Sequence, residues 1–484
     1  MRREFIGSCV ISSRTSSVLS PLCAAGRAEI ALAAPRPASI PGSGRIRVLR
    51  GGSSDGRELV VFRRRAGTML RRIAISLAVA LATTVGTLTS APAPSAAQVP
   101  VTPGSEAGPR FRADGPDADT YGQKEGYPSC TGWNYVGQLR CRVGAFSHLD
   151  TLFPSRIIAA SGSPAPLGRA ATEPAIHYTY GGQRRTLDQY LDAHHVTGFL
   201  IAKGNSILVE RYQYGRTDKH RLTSFSMAKT VIALLIGIAV KEGAIGSIDD
   251  RAEVYVPNLK GTEYGRTPIR ALLQMTSGVS FRESPWDPTS DVFTLFRLTI
   301  GQDPGGSLAA VKRLNTRLAE PGQRFSYSSA ESLVLGLVLA GATRRTVSDY
   351  ASEKLWGPMG AEADASWVVD ANGQEITFAY FNAVVRDWAR LGLMLAHGGS
   401  WQGNSIVPAE WVRASVEPGP IWLGYGYQLW LQAADRRMFE LRGLRGQFVI
   451  IDPANKLVLV QTALRDDNYE ELFALWTALS SQLP

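Results

Sequence analysis

The stretch TSFSMAK, residues 223–229, opens a long apolar segment near the middle of the 484-residue chain. Its first two residues, Thr223 and Ser224, are of types that accept hydrogen bonds from free backbone N–H groups at a helix start. Apolar side chains follow on nearly every face, and Gly243 is typical of a helix end. A helix that is apolar all round belongs at the centre of a domain. The stretch therefore predicts a buried helix over residues 225–242.

Ser226 and Lys229 fall in the first turn of this helix, on the same face. A hydroxyl is a weak nucleophile until a base takes its proton, and a lysine serves as that base only when its pKa is lowered. The free N–H groups of a helix start favour developing negative charge. The pattern Ser-x-x-Lys also arises by chance, so a helix start with no catalytic role is the alternative.

A second pattern supports the catalytic interpretation. Tyr327 follows a Pro-Gly turn and precedes an apolar helix over residues 333–339. A tyrosine at such a junction can donate its phenolic proton to a leaving group, or hold Lys229 in its working protonation state. The alternative is a core tyrosine whose hydroxyl is satisfied internally. Together with Ser226 and Lys229, it predicts a nucleophile, a base and a proton relay.

Four segments together resemble the serine β-lactamase-related family: SMAK at 226–229, LLQMTSGV at 272–279, PGQRFSYSS at 321–329 and NAVVRDWARLG at 382–392. Within this family the chain, from about residue 180 onward, is most similar to 6-aminohexanoate-dimer hydrolases and related esterases. The resemblance implies a β-lactamase/transpeptidase-like fold with Ser226 as nucleophile, Lys229 as base and Tyr327 as proton relay. It also implies that Asn382 lines the substrate cleft.

A further motif of the family, on the strand that borders the active site, differs in this chain. Penicillin-recognising relatives carry Lys-Thr-Gly or Lys-Ser-Gly beside the site, whereas this chain has GLRGQ at 443–447, which we expect to open a strand over 448–451. Small residues there let a backbone N–H complete an oxyanion hole. Arg445 either binds a substrate carboxylate or is a solvated charge. We therefore predict Arg445, Gly446 and Gln447 as substrate-binding residues, and no strong β-lactamase activity.

Strand patterns gather at both ends of the same region. The apolar runs 198–202 and 207–212 are joined by Gly-Asn, and the runs 448–451 and 457–464 form a second pair. The middle, about 223 to 415, is mostly helical in pattern, and a closing helix ends the chain. These patterns predict an α+β architecture, an antiparallel sheet from both chain ends flanked by helices with an inserted helical region.

The beginning of the chain contains a second potential start. Met69 and two arginines precede an apolar run over 73–88 and small residues ending at Ala97, an order typical of a secretory signal peptide. We predict that residues 69–97 export the protein, and that residues 1–68 are a disordered upstream mis-start. An uncleaved anchor, the one route to membrane contact, is the alternative, although a run of about 16 residues is short of the roughly 20 that span a bilayer.

The charge of +10 arises entirely from residues 1–97. Residues 1–97 hold 14 of the 52 Lys and Arg but only 4 of the 42 Asp and Glu, so the remainder carries 38 of each. A formally neutral chain offers no basic surface for phosphate groups. We therefore expect no nucleic-acid partner.

Residues 98–177 are predicted to be a linker and a small N-terminal extension before a hydrolase domain at 178–484, with a flexible lead-in to about Tyr121 and a further linker over 161–166. In an oxidising compartment, Cys130 and Cys141 predict one local disulfide. His194-His195 is interpreted as a surface pair, because no carboxylate or cysteine lies at ligand spacing. We expect neither metal nor cofactor.

The leading hypothesis is an exported serine hydrolase that cleaves a small-molecule ester or linear amide through an acyl-enzyme on Ser226. One alternative is a D,D-peptidase or weak β-lactamase, and another is a non-catalytic penicillin-binding-like protein. The sequence does not predict the oligomeric state.

Overall fold

The computed structural model describes residues 108–132, 134–433, 438–465 and 469–483. The predicted mis-start and signal peptide, residues 1–97, lie outside the described residues. Within the described ranges, none of the helices has both the length and the apolar character needed to cross a membrane.

Strands are concentrated toward the two ends of the described chain, and seven consecutive α-helices, α5 to α11, lie between them. The strands are β1 (Arg110–Phe111), β2 (Ser155–Ile158), β3 (Gly168–Arg169), β4 (His177–Tyr180), β5 (Gln183–Thr186), β6 (Val196–Lys203), β7 (Ser206–Tyr212), β8 (Leu222–Thr223), β9 (Ala365–Val368), β10 (Phe381–Ala383), β11 (Ser400–Trp401), β12 (Asn404–Ser405), β13 (Trp430–Ala433), β14 (Met438–Gly443), β15 (Gln447–Asp452) and β16 (Leu457–Ala463). The α-helices are α1 (Asn134–Gly137), α2 (Leu139–Ser147), α3 (Leu149–Leu152), α4 (Leu187–Ala193), α5 (Ala228–Lys241), α6 (Ala252–Tyr255), α7 (Ile269–Leu273), α8 (Asp291–Thr299), α9 (Gly306–Arg313), α10 (Ser329–Thr343), α11 (Val347–Ala351), α12 (Val385–Ala396), α13 (Ala409–Ser415) and α14 (Tyr469–Gln482).

The main sheet joins the two ends of the chain. Its order is β1-β7-β6-β16-β15-β14-β13, with β3 also paired to β7. The two predicted hairpins, β6–β7 and β15–β16, meet through the antiparallel β6–β16 pair, in which Val460 lies opposite Leu200. The predicted antiparallel sheet from both chain ends is confirmed. The outer strands β13 and β14 were not predicted.

Helices cover both faces of this sheet. On β6, Phe199 and Ile201 pack with α4 and α14, whereas Leu200 and Ala202 face the large core that contains α5, α10 and α12. This follows from the two-residue alternation of a strand. Helix α12 lies close to the sheet at Gly392, where a Cβ would lie 2.7 Å from Val458 Cγ1.

A second small sheet has the order β2-β9-β10-β8. Strands β9 and β10 lie within the segment that was predicted to be mostly helical, whereas β2 comes from the N-terminal extension. The strands of this sheet have two to four residues each. Runs this short show no alternation in the sequence. The sheet is central to the site, because β8 leads directly into the turn that carries Ser226.

The N-terminal extension is packed on the main domain. Strand β1 pairs in parallel with β7, so residues 110–111 of the expected flexible lead-in belong to the main sheet. In the expected linker 161–166, the backbone N–H of Ala165 donates to Gly360 O at 2.9 Å. Single contacts between distant segments leave no local pattern from which they could be predicted.

The structure joins Cys130 to Cys141, with their Cα atoms 5.5 Å apart. The disulfide ties helix α2 to the loop before it. On that helix, a Cβ at Gly144 would lie 2.3 Å from Tyr127 O, so only glycine fits there. Helix α2 in turn contacts β8, immediately before the predicted nucleophile.

The interpretation of His194 and His195 as a surface pair is wrong, because both side chains are buried. His194 Nε2 lies 3.1 Å from Glu471 Oε2, and His195 Nε2 lies 2.9 Å from Asp117 Oδ2. Each histidine thus has a carboxylate from a distant part of the chain. In the part of the chain that the structure describes, no group of three or more His, Cys, Asp or Glu side chains could hold a metal ion.

Candidate active site

Ser226 lies in a short 3₁₀ turn, Phe225–Met227, between β8 and α5. The predicted side-chain cap is not formed, because the Ser224 hydroxyl donates to Phe225 O at 2.9 Å, and the α-helix begins only at Ala228. Phe225 has φ 43°, a left-handed conformation that costs a bulky residue about 1 to 3 kcal/mol. Surrounding contacts therefore have to hold this turn in place.

The second sheet supplies two of those contacts. The backbone N–H of Ser224 donates to Phe381 O at 2.9 Å, and the N–H of Phe381 donates to Ser224 Oγ at 3.2 Å. Strand β10 thereby anchors the residue two positions before the nucleophile.

Lys229 is buried and points at the nucleophile. Its Nζ donates to Ser226 Oγ at 3.1 Å, to Ser329 Oγ at 3.1 Å and to Phe378 O at 2.8 Å. Burial lowers the pKa of Lys229 to about 8, and the negative charge of Glu283 opposes that shift. A lysine with this pKa is partly neutral near neutral pH, so it can accept the proton of Ser226.

Tyr327 completes the predicted trio. Its hydroxyl interacts with the Ser226 side chain, and Lys229 Nζ lies 5.2 Å from the centre of its ring. Burial, assisted by the charge of Glu283, raises the pKa of Tyr327 above its usual range. Tyr327 therefore keeps its proton at neutral pH, which suits a donor to a leaving group.

Two residues of the site were missed by the sequence analysis. The backbone N–H and the hydroxyl of Ser329 donate to the Glu283 carboxylate at 2.8 and 2.7 Å, and Ser329 in turn contacts Lys229. Burial raises the pKa of Glu283. Ser329 closes the PGQRFSYSS segment and could have been found from it. Glu283 lies in a loop far away in sequence, and no local signal marks it.

The GLRGQ stretch forms the tight turn between β14 and β15 rather than only the opening of a strand. Strand β14 borders the nucleophile so closely that a Cβ at Gly443 would lie 2.1 Å from Ser224 O. The Gln447 side chain donates to the carbonyls of Leu444, Arg445 and Ala463 at 3.1, 2.9 and 2.9 Å. Its amide therefore holds the turn, and the prediction that Gln447 binds substrate stays a prediction.

Arg445 lies against an aromatic side chain rather than being only solvated. Its guanidinium carbon lies 4.0 Å from the ring centre of Trp286, in the loop that also carries Glu283. Arg445 and Gly446 have φ values of 66° and 82°, which shape the turn. A substrate contact by these two residues remains a prediction.

Asn382 is fully buried in β10. Its Nδ2 donates to Ser366 Oγ at 3.2 Å and to Tyr380 O at 3.1 Å. Its Oδ1 has no hydrogen-bond partner among the described residues. The side chain thus fastens the second sheet, and its role in lining the cleft remains a prediction.

Residues 184–482 match the beta-lactamase family. The chain belongs to this family of serine hydrolases. It is 26% identical over 360 residues to a 6-aminohexanoate-dimer hydrolase from Paenarthrobacter ureafaciens, covering 70% of this chain and 89% of that protein. A Bacillus anthracis structure, provisionally assigned as a 6-aminohexanoate-dimer hydrolase, matches with TM-score 0.65 and 22% identity over 75% of this chain and 99% of its own. A family VIII carboxylesterase structure matches with TM-score 0.48 and 18% identity, over 59% of this chain and 92% of its own.

Membership of the beta-lactamase family confirms the resemblance drawn from the four sequence segments, and the structural match confirms the predicted fold. The chain is thus a hydrolase of the serine β-lactamase type. Its substrate and the roles of individual residues are not given by family membership.

The geometry predicts a pH profile. If neutral Lys229 is the base, kcat/KM should rise with pH through about 8 and level off above it. Glu283→Gln removes a charge that favours the protonated lysine, so the midpoint should move to lower pH. Steady-state ester hydrolysis between pH 5 and 10 measures this midpoint. Asp287→Asn, in the same loop, should leave it unchanged, and an unshifted midpoint in Glu283→Gln would contradict the electrostatic coupling.

Proposed function

We propose that this protein hydrolyses an ester or a small linear amide through an acyl-enzyme on Ser226. The observation that carries the proposal is the 3.1 Å contact between the buried Lys229 Nζ and Ser226 Oγ. A hydroxyl, a base of lowered pKa and a protonated phenol within one hydrogen-bonded cluster are the groups that acyl transfer needs. The relative from Paenarthrobacter ureafaciens, named for hydrolysis of a linear amide dimer, supports this substrate class.

In the proposed reaction, Ser226 Oγ bonds to the carbonyl carbon while its proton passes to Lys229 Nζ. The carbonyl oxygen becomes an oxyanion that backbone N–H groups of Ser226 and of the β14–β15 turn stabilise. The bond to the leaving group then breaks, and Tyr327 gives that group its proton while recovering one from Lys229. Water attacks the acyl-enzyme by the same route in reverse and regenerates Ser226.

The turn beside the site argues against penicillins as the main substrates. A Lys-Thr-Gly or Lys-Ser-Gly sequence is absent from the GLRGQ stretch. The Gln447 amide donates its hydrogen bonds within the turn, and the Arg445 guanidinium stacks on the Trp286 ring. The acyl-enzyme chemistry needs none of these side chains, so esters and linear amides remain suitable substrates.

We also propose that the protein is exported. The signal-like segment 69–97 supports this, as does the Cys130–Cys141 disulfide, since such bonds persist mainly in oxidising compartments. Fractionation of cells that express the gene, with the N-terminus of the mature protein determined by mass spectrometry, tests it. A mature chain that begins at Met1 in the cytoplasm would contradict the proposal.

Labelling tests the proposed nucleophile directly. A fluorophosphonate probe should add one mass equivalent to the intact protein, Ser226→Ala should abolish the addition, and Ser405→Ala on an exposed strand should retain it. Failure to label the wild type would favour the non-catalytic binding protein.

A substrate panel then tests the class. Turnover of p-nitrophenyl acetate or of the 6-aminohexanoate dimer is the expected result. Rapid turnover of nitrocefin, or release of D-alanine from a D-Ala-D-Ala peptide, would instead favour the weak β-lactamase or the D,D-peptidase.

A further inference from the structure

Three consecutive large apolar side chains are exposed between α13 and β13. Ile421, Trp422 and Leu423 have 46%, 42% and 67% of their surface accessible. Contiguous apolar exposure of this kind costs solubility, so it usually marks a binding surface. We call these three residues the apolar rim.

The apolar rim is continuous with the active site. The Trp422 ring lies 5.8 Å from that of Trp430, and the Trp430 ring lies 5.4 Å from that of Tyr327. Phe325, two residues before Tyr327, packs 4.6 Å from Trp422 on the same side. An unbroken row of rings, which we call the aromatic wall, therefore runs from the proposed proton donor to the surface.

Neighbouring residues fix the orientation of the rings in the aromatic wall. A Cβ at Gly424 would lie 2.7 Å from the Trp422 ring, so the indole folds against its own backbone where only glycine leaves room. The buried Tyr425 ring stands edge-on to Trp430 at 5.2 Å and to Phe325 at 5.4 Å. A surface that is already ordered loses little entropy when an apolar ligand binds to it.

The aromatic wall begins at Tyr327. The position of Tyr327 therefore determines which part of the substrate the wall would contact. In the proposed reaction, Tyr327 delivers its proton to the leaving group. A leaving group bonded there extends along Trp430 toward Trp422. The acyl part lies on the other side of the scissile bond, away from this row of rings.

We propose that the apolar rim and the aromatic wall form a subsite for the leaving group, and that preferred substrates carry an alkyl or aromatic alcohol or amine. The inference rests on the proposed function, since it takes Tyr327 as the donor to the leaving group. Burial of one methylene on such a surface raises kcat/KM about four-fold. The rim thereby determines specificity without touching the reacting atoms.

The experiment compares two homologous series of esters. Alkyl acetates from ethyl to octyl vary the leaving group, and p-nitrophenyl esters from acetate to hexanoate vary the acyl group. Hydrolysis is followed by acid release in a pH-stat for the first series and by absorbance for the second. The variants are Trp422→Ala and Leu423→Ser, and the control is Val254→Ser, another exposed apolar residue, at 60% accessibility on α6.

For the wild type and the control, kcat/KM should rise along the alkyl acetates by about four-fold per methylene that reaches the rim. Both rim variants should flatten this dependence, leave ethyl acetate unchanged, and retain the slope of the acyl series, although the p-nitrophenyl leaving group that all its members share lowers every rate in that series by the same factor. Because the mutated side chains are exposed, their melting temperatures should match the wild type and exclude unfolding as the cause.

A flat alkyl series in the wild type, or variants that retain its slope, would overturn the inference. Loss of the acyl-series slope alone would assign the rim to the other half of the substrate and overturn it too. Rim variants that keep both slopes but lose binding to phospholipid vesicles or self-association would identify a membrane or dimer surface instead. Absence of hydrolysis in both series would instead count against the proposed function itself.

Discussion

Replacement of Lys229 by alanine is expected to lower kcat/KM for p-nitrophenyl acetate about 10²- to 10⁴-fold, the range typical of losing a general base. When the Lys229 Nζ is absent, Ser226 has no adjacent group of lowered pKa among the described residues that can take its proton. The loss should shrink at high pH, where hydroxide can replace the base. Steady-state kinetics between pH 6 and 10 measure both effects.

Two further variants make this result interpretable. Lys229→Met fills most of the buried volume and should be equally inactive, which separates loss of the base from loss of packing. Lys241→Ala, at the exposed end of the same helix, removes a surface pair with Glu410 at 3.3 Å and should retain wild-type activity. Full activity in Lys229→Met would show that another group takes the proton of Ser226.

The catalytic trio could be predicted from sequence because each member lies in a short segment with its own signal. Ser226 and Lys229 share one helix turn, and Tyr327 follows a Pro-Gly turn before an apolar helix. That the three side chains lie close together in the fold could be inferred only from the family resemblance. The structure adds the contacts, in which one lysine Nζ joins Ser226 and Ser329.

The residues that tune the trio could not be predicted in this way. Glu283 acts on the pKa of Lys229 from a loop, and the charge of Arg442 on β14 opposes the burial that raises the pKa of Tyr327. Both effects depend on distances between segments that are remote in sequence.

The family segment LLQMTSGV illustrates how a motif can be recognised without its role being known. In the structure, the Ser277 hydroxyl donates to the Glu331 carboxyl, whose pKa is raised by burial to about 8. Glu331 lies in the first turn of α10, next to the residues that follow Tyr327. A Cβ at Gly278 would lie 1.8 Å from Ala319 O, so the loop packs tightly there. The segment therefore helps to position α10 and the tyrosine that precedes it.

The N-terminal extension has a comparable positioning role toward the nucleophile. Phe146 on α2 packs edge-on against Phe225, with ring centres 5.1 Å apart. The Tyr135 hydroxyl lies 3.0 Å from that of Tyr380, and both are buried. Phe225 and Tyr380 have φ values of 43° and 64°, so the extension contacts the strained residue before Ser226 and the strained residue before β10.

Phe146→Ala is therefore expected to lower the free energy of unfolding by about 3 to 5 kcal/mol, as loss of a buried aromatic ring does. It should also lower kcat several-fold in the protein that remains folded, with little change in KM, because relaxation of Phe225 displaces Ser226 from Lys229. Urea denaturation and steady-state kinetics at a temperature well below the transition measure the two effects.

The matched control is Phe111→Ala, which removes a half-exposed ring in the same extension, stacked on Tyr212. It should cost about 1 kcal/mol or less and leave kcat unchanged. Phe146→Leu should recover most of the stability but only part of kcat if the edge-on ring is what holds Phe225. Equal kcat in all three folded variants would mean that the extension stabilises the domain without positioning Ser226, and that the left-handed turn is held by β10 and Ser224 alone.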